Sequence, residues 1–327
     1  MLRRLKYALL PTALALTLAS VAQAAPIGTL KQFRIPTANG NPKEITQGSD
    51  GNFWFTESHV NPPQTDNHHI GRITPAGDIT EFLVCQFCFP NDIAQGSNGI
   101  LYFTKSDPGL GRITADGTVL PDVIPSNTLA NGNGVAASGD DVYFTSFNTN
   151  SIWRYNATSD AFTEYPAPTP GANPYDVTVA PDGSVWFTEF HADAIGRLDP
   201  ATGVVTETPV GDGPNGPREL TIATDGKVWF TKRFDNSVGF FDPATGAVTE
   251  FALAPGRGPE GIAAAPGGSV WFAQSVHGSI ARITADGVIT EGKRVKGSGP
   301  FGVTVAPDGN PWYTMLSADK IATLQLR

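Results

Sequence analysis

Apolar and polar residues alternate along this chain in short runs broken by Asp, Gly and Pro, and the pattern keeps returning. Between Asn173 and Thr208 it predicts four strands: Asp176–Ala180, Ser184–Glu189, Ala194–Leu198 and Val204–Thr208. β-Branched and aromatic residues fill the runs, Pro181-Asp182-Gly183 and Asp199–Gly203 supply turns, and no window carries a helical period. Val185-Trp186-Phe187 is apolar on consecutive positions, so both faces of that strand must be covered. A lone four-stranded sheet leaves one face open; stacked copies cover both.

The copies are present. A Pro-x-x start recurs at Pro42, Pro90, Pro174, Pro217, Pro259 and Pro300, with Gly132-Asn133-Gly134-Val135 as a proline-less version. The aromatic strand recurs as Trp54-Phe55-Thr56, Tyr102-Phe103-Thr104, Tyr143-Phe144-Thr145, Trp186-Phe187-Thr188, Trp229-Phe230-Thr231, Trp271-Phe272-Ala273 and Trp312-Tyr313-Thr314. A spacing of about 42 residues is that of four-stranded propeller blades. The last unit supplies Val303–Ala306, Pro311–Met315 and Lys320–Leu324 and then ends, whereas Leu30–Pro36 resembles the fourth strand of the other units. The chain is therefore expected to be all-β, a seven-bladed propeller of four-stranded blades closed by its N-terminal strand, which removes free sheet edges.

Composition adds limits. Met1–Ala24 reads as a signal peptide: Arg3, Arg4 and Lys6 precede an apolar stretch, and Ala22-Gln23-Ala24 is a small-residue cleavage site. Residues 25–327 are then one exported propeller domain, periplasmic or extracellular, with no membrane span, and a monomer is expected. Lys and Arg number 22 against 31 Asp and Glu, a formal charge of −9, which makes nucleic acid a poor partner. The high counts of Gly (36) and Pro (27) fall at the repeated turns and signal tight loops. Cys85 and Cys88 are the only cysteines; with no helix to activate a thiol, a local disulfide is expected, and two cysteines are a thin basis for zinc. Ser58–His69 is longer than the matching loop of the fourth unit, either a site-shaping insertion or a tolerated surface loop.

The stretches Gly51-Asn52-Phe53-Trp54-Phe55-Thr56-Glu57, Ile70-Gly71-Arg72-Ile73-Thr74, Ile79-Thr80-Glu81-Phe82 and Trp186-Phe187-Thr188-Glu189 together resemble the virginiamycin B lyase (streptogramin lyase) family. The resemblance covers nearly all of the chain after the signal peptide and implies the propeller fold. It also implies an activity: linearising a cyclic depsipeptide by elimination across its ester, with carboxylates holding magnesium and a histidine taking the proton. The family's motifs are a Pro-His-x-Ile loop in the sixth blade, and in the seventh Glu-Pro-His-Gly-Ile with a further Glu after the aromatic strand. Here the sixth-blade histidine position holds Glu260. Gly299 and Phe301 stand at the seventh-blade Glu and His positions, and Met315-Leu316 follow the strand where a carboxylate is required. No histidine follows a proline anywhere, so the lyase chemistry is not expected.

The channel mouth on the face of the Pro-x-x loops (here the top) is expected to gather Lys43, Glu44, Asn91, Asp92, Tyr175, Asp176, Arg218, Glu219 and Glu260. Glu57, Glu189 and Lys232, from the aromatic strand ends, are expected to join them, as are Lys105 and Asn133. Glu44, Asp92, Asp176 and Glu219 are candidates for a hard cation, magnesium or calcium; the alternative is acids paired with bases or with loop amides. Glu57-x-His59 and Glu189-x-His191 offer histidines oriented by acids, but on opposite sides of the ring, and His68-His69 is a weak metal candidate. Arg72, Arg112, Arg154, Arg197 and Arg282 recur in the third strand and are expected to pair with Glu81, Glu164 or Glu207. Three functions remain open: a module binding a peptide, glycan or small metabolite at the top centre; a metal-dependent lyase or lactonase using the channel acids; and a protein-interaction platform.

Overall fold

The structure is a computed structural model that describes residues 27–58, 67–126, 130–213 and 215–326. The stretch 1–24, read above as a signal peptide, and most of the Ser58–His69 insertion, including His59, lie outside the described residues. Seven antiparallel sheets of four strands form the blades. The innermost strands of successive blades pack in cyclic order, and that of blade 7 (Pro300–Val305) returns to that of blade 1 (Pro42–Gln47), which closes the ring. In the unit first read from the pattern the strands are Pro174–Val179, Val185–Glu189, Ala194–Asp199 and Val204–Pro209.

The fourth strand of blade 7 is the N-terminal one. Thr29–Arg34 pairs antiparallel with Lys320–Gln325, from Thr29 opposite Gln325 to Arg34 opposite Lys320. Leu30 and Phe33 pack into the clusters on either side, and Phe33 stacks on Trp312 at 5.7 Å and 9°.

Two devices position the centre of the ring. The first is a bulge at the Pro-x-x starts. Pro174 pairs with Glu189 and Val177 with Phe187, so Tyr175 and Asp176 together oppose Thr188. The same shift occurs at Pro42, Gly132, Pro259 and Pro300. A bulge re-aims side chains and here presents two residues per blade to the channel. The second is a threonine belt. Thr188 Oγ1 accepts the Asp176 N–H at 2.9 Å and donates to the Arg218 carbonyl of the next blade at 2.7 Å. Thr56, Thr104, Thr145 and Thr314 repeat the double contact. In blade 6 Ala273 takes this position and carries no hydroxyl. Thr188→Val keeps the shape but strands two buried backbone groups, so a loss of about 2 kcal/mol or more in urea unfolding is expected. A change within ~0.5 kcal/mol, ordinary for a surface site, would mean that the belt carries no stability.

The third-strand arginines do not pair with the outer-strand glutamates. Arg72 lies opposite Thr80, whereas Glu81 lies opposite Gly71, so the two charges face opposite sides of the sheet. Arg72 instead covers Trp54 and Phe82, at 5.5 and 5.4 Å from the ring centres, and donates to the Ala115 carbonyl. Arg154 pairs with Asp141 at 2.8 Å, and Arg112 donates to the Pro121 carbonyl. The glutamates hold hydroxyls and amides: Glu81 takes the Thr37 N–H and Oγ1, Glu207 those of Thr169, and Glu164 takes Ser151 Oγ.

Candidate functional site at the channel mouth

Each bulge contributes an upper and a lower residue. The lower set runs Glu44, Asp92, Gly134, Asp176, Glu219, Gly261 and Gly302 around the ring. The glycines mark places where the next blade presses close: a methyl group on Gly302 would lie 2.6 Å from the Lys43 carbonyl oxygen, and one on Gly261 2.4 Å from that of Phe301. Two of the four acids are committed to backbone. Asp92 accepts the Ile93 and Val135 N–H groups at 2.7 and 2.8 Å; Asp176 accepts those of Val177 and Leu220 at 2.8 and 2.9 Å. Each thus ties its own innermost strand to the next, as in the alternative of acids bonding loop amides.

The acids crowd one another. Burial, aided by the charge of Glu219 against backbone donation from Val135, pushes Asp92 up to about 7. Burial followed by neighbouring carboxylates raises Glu44 and Asp176 well above the usual range, and burial also raises Glu219. Burial lowers the Lys43 ammonium despite these acids. Among the described residues, the one cluster whose ligand atoms all lie within metal-sharing distance is His68, Cys85 and Cys88, away from the ring. Its two cysteines are joined in the expected disulfide, and His68 Nδ1 accepts the Phe89 N–H at 2.8 Å.

The upper set closes the mouth. Lys43 Nζ donates to Asn91 Oδ1 at 2.8 Å and lies 5.8 Å from the Phe301 ring centre. Arg218 covers the Tyr175 ring at 4.6 Å, bonds its hydroxyl and reaches Glu260 at 3.5 Å. Arg233, which the repeat pattern did not single out, holds the other oxygen of Glu260. Under this lid, Lys43, Glu44, Asn91, Asp92, Asn133, Tyr175, Asp176, Glu219 and Phe301 enclose only about 20 Å³, room for one water molecule. Below the acids the channel widens into a funnel of about 350 Å³ lined by the innermost strands.

Glu57, Glu189 and Lys232 do not line this hollow. Successive strand residues point to opposite sides, so where Thr188 turns toward the next blade, Glu189 turns back into its own. Glu57 and Glu189 are buried against Glu81 and Glu207, the acids that hold Thr37 and Thr169. Lys232 is buried among Asp193, Asp235 and Glu250, and Lys105 meets Asp122 at 3.0 Å. His191 lies beside Asn173 and packs on Phe190, which in turn meets the exposed Phe234 at 5.9 Å.

The virginiamycin B lyase family model matches residues 16–207 and 203–327. The chain belongs to the virginiamycin B lyase family. A streptogramin B lyase structure is similar at 27% identity and TM-score 0.83, over 92% of this chain and 98% of that one. Virginiamycin B lyase from Staphylococcus aureus is similar at 28% identity and TM-score 0.81, over 91% of this chain and 99% of that one. A catalytically inactive histidine-to-alanine variant of the S. aureus enzyme, with quinupristin, superposes equally well at 28% identity and TM-score 0.81, over 91% and 99% of the two chains. No curated protein matches the sequence.

At the positions that the resemblance assigns to the lyase motifs stand an aromatic ring, a glycine, a buried methionine and one paired carboxylate. Phe301, at the position where the resemblance puts a histidine, is buried, Gly299 offers no side chain, and Met315 is sealed in an apolar cluster. Glu260 is the one carboxylate there, and two arginines neutralise it. Magnesium takes hard oxygen ligands, and at these positions Glu260 is the one side chain that offers them.

Proposed function

We propose that this family member is an exported module that binds a ligand across its top central face and does not linearise streptogramins. The observation that carries the reading is the pair Phe301 and Glu260: one cannot accept a proton, and the other is neutralised by Arg218 and Arg233. The binding half rests on the rim, where Tyr175, Arg218, Arg233 and Phe190 are half-buried and Phe234 is exposed. Tyr175, Arg218 and Arg233 offer stacked cations at the mouth, and Phe190 and Phe234 add apolar contact beside them. Such a surface suits a peptide, glycan or small metabolite that brings carbonyl or anionic acceptors and an apolar edge. The S. aureus relative with quinupristin supports a scaffold that takes a ligand of this kind. Export is supported by the charged, apolar and small-residue order of Met1–Ala24, and no helix among the described residues is long and apolar enough to cross a membrane.

A thermal-shift screen of cyclic peptides, oligosaccharides and metabolites tests the binding half. At least one compound is expected to raise the melting temperature of the wild type, with the shift lost in Tyr175→Ala. A screen without any shift, or with shifts that all survive Tyr175→Ala, would overturn it.

A further inference from the structure

A second cleft lies between blades 4 and 5, away from the channel mouth. It encloses about 560 Å³ and is lined by Trp186, Arg197, Thr206, Thr208, Phe241 and Pro243, among others. Its origin is visible in the repeat. In three blades the residue after the fourth-strand Glu or Gln is a phenylalanine stacked on the tryptophan of the same blade. Phe82 lies on Trp54 at 5.5 Å and 21°, Phe251 on Trp229 at 6.1 Å and 16°, and Phe33 on Trp312 at 5.7 Å and 9°. Blade 4 keeps the tryptophan, Trp186, but places Thr208 at that position.

The neighbouring blade shows the same gap from the other side. The aromatic ring normally reaches a left-handed glycine in the outer turn of the next blade. A methyl group on Gly77 would lie 2.1 Å from Phe33, one on Gly117 2.0 Å from Phe82, one on Gly287 2.7 Å from Phe251, and one on Gly203 3.6 Å from Tyr165. At Gly246, the equivalent turn beside Thr208, nothing lies within 4 Å. Blade 6 also lacks the aromatic, with Gly292 at the position, but Leu324 fills that space at 2.5 Å. The slot beside Thr208 is thus open toward Gly246, while Trp186 itself is buried and meets Phe241 of blade 5 at 5.8 Å and 49°.

A cation stands at its rim. Arg197 lies 5.7 Å from the Trp186 ring centre, as Arg72 does over Trp54, and its partner Asp182 is 3.9 Å away with both side chains substantially exposed. A pair that loose leaves the guanidinium able to take a carboxylate in two-pronged fashion. We infer that this cleft binds a small aromatic carboxylic acid, with its ring against Trp186 in the place of the missing phenylalanine and its carboxylate on Arg197. The volume is in the range of small-molecule sites, and the Thr206 and Thr208 hydroxyls supply further polar contacts. This site is separate from the mouth, so its fate does not decide the reading given above.

The probe is N-acetyl-phenylalanine, titrated by calorimetry and by NMR of the Trp186 indole N–H, assigned with Trp186→Phe. Saturable binding is expected, with a shift of that resonance. Thr208→Phe should abolish binding and raise the melting temperature, because it restores the stack of blades 1, 5 and 7. Arg197→Gln, or the probe's neutral amide, should weaken binding about tenfold through loss of the charge-assisted bond. Absence of binding and of any Trp186 shift at millimolar probe would overturn the site. So would unchanged affinity in Thr208→Phe, and unchanged affinity in Arg197→Gln would overturn the carboxylate contact.

Discussion

Removing residues 27–34 is expected to abolish the cooperative fold. The deletion turns Lys320–Gln325, a mostly buried strand, into the outer edge of a three-stranded blade at the seam of the ring. It also uncovers the apolar surface that Leu30 and Phe33 fill, and takes the stacked partner from Trp312. Leu30 and Phe33 are partly buried, so each contributes less than the ~1.5–3 kcal/mol of full burial, before the lost ladder is counted, against a total stability on the order of 5–15 kcal/mol. Circular dichroism of the truncated protein should show a melting transition that is broadened or missing, with aggregation through the freed edge. A peptide carrying residues 27–36, added in excess, should restore the transition. A truncated protein that melts sharply at the full-length temperature would mean that the N-terminal strand does not hold the ring.

The second large effect is a loss of stability as pH rises. Burial, then the hydrogen bond and charge of Glu207, push Glu189 up to about 8; burial, Glu81 and Asp319 raise Glu57 well above its usual range. In both pairs one carboxyl must keep its proton to face the other. A carboxyl raised in the folded state binds its proton more tightly there than in the unfolded chain. Its contribution is therefore full below the unfolded value and falls as pH climbs toward the folded one. For Glu189 that window runs from about pH 4.5 to about 8, with a slope of about 1.4 kcal/mol per unit. The channel acids, Asp92 at about 7 with Glu44 and Asp176 also raised, add to the same slope. Urea midpoints should thus fall between pH 5 and pH 9. Glu189→Gln, whose amide can still donate to Glu207, should flatten part of the fall and be the more stable protein at pH 8. Midpoints that rise with pH would show that these pairs are ionised and compensated in a way the geometry does not provide.

The ring itself was legible because each blade repeats the same aromatic run and turn chemistry, and because a three-stranded last unit and an orphan N-terminal strand complete each other. The mouth was half legible. Lys43, Asn91, Tyr175 and the four acids follow from the Pro-x-x starts, since a bulge there sends both intervening residues to the channel. Glu57, Glu189 and Lys232 were misplaced because strand ends were read as aiming where the bulges aim, whereas alternation turns them into their own blades. The arginine–glutamate pairing failed for a related reason: one position of register separates Thr80 from Glu81 and decides the face. Arg233 was missed because it lies in a loop outside the repeated motif, and only the fold brings it to Glu260. The open slot at Thr208 was in principle readable, as the blade whose outer strand ends in Thr-Glu-Thr where others end in Thr-Glu-Phe.

The most direct test of the central claim is mass spectrometry of quinupristin incubated with this protein and magnesium, beside the S. aureus lyase as a positive control. The antibiotic should stay cyclic in the presence of this protein while the control linearises it. Linear product that accumulates with time and stops on adding a chelator would contradict the account, and would require an acid–base pair that Phe301 and Glu260 do not supply.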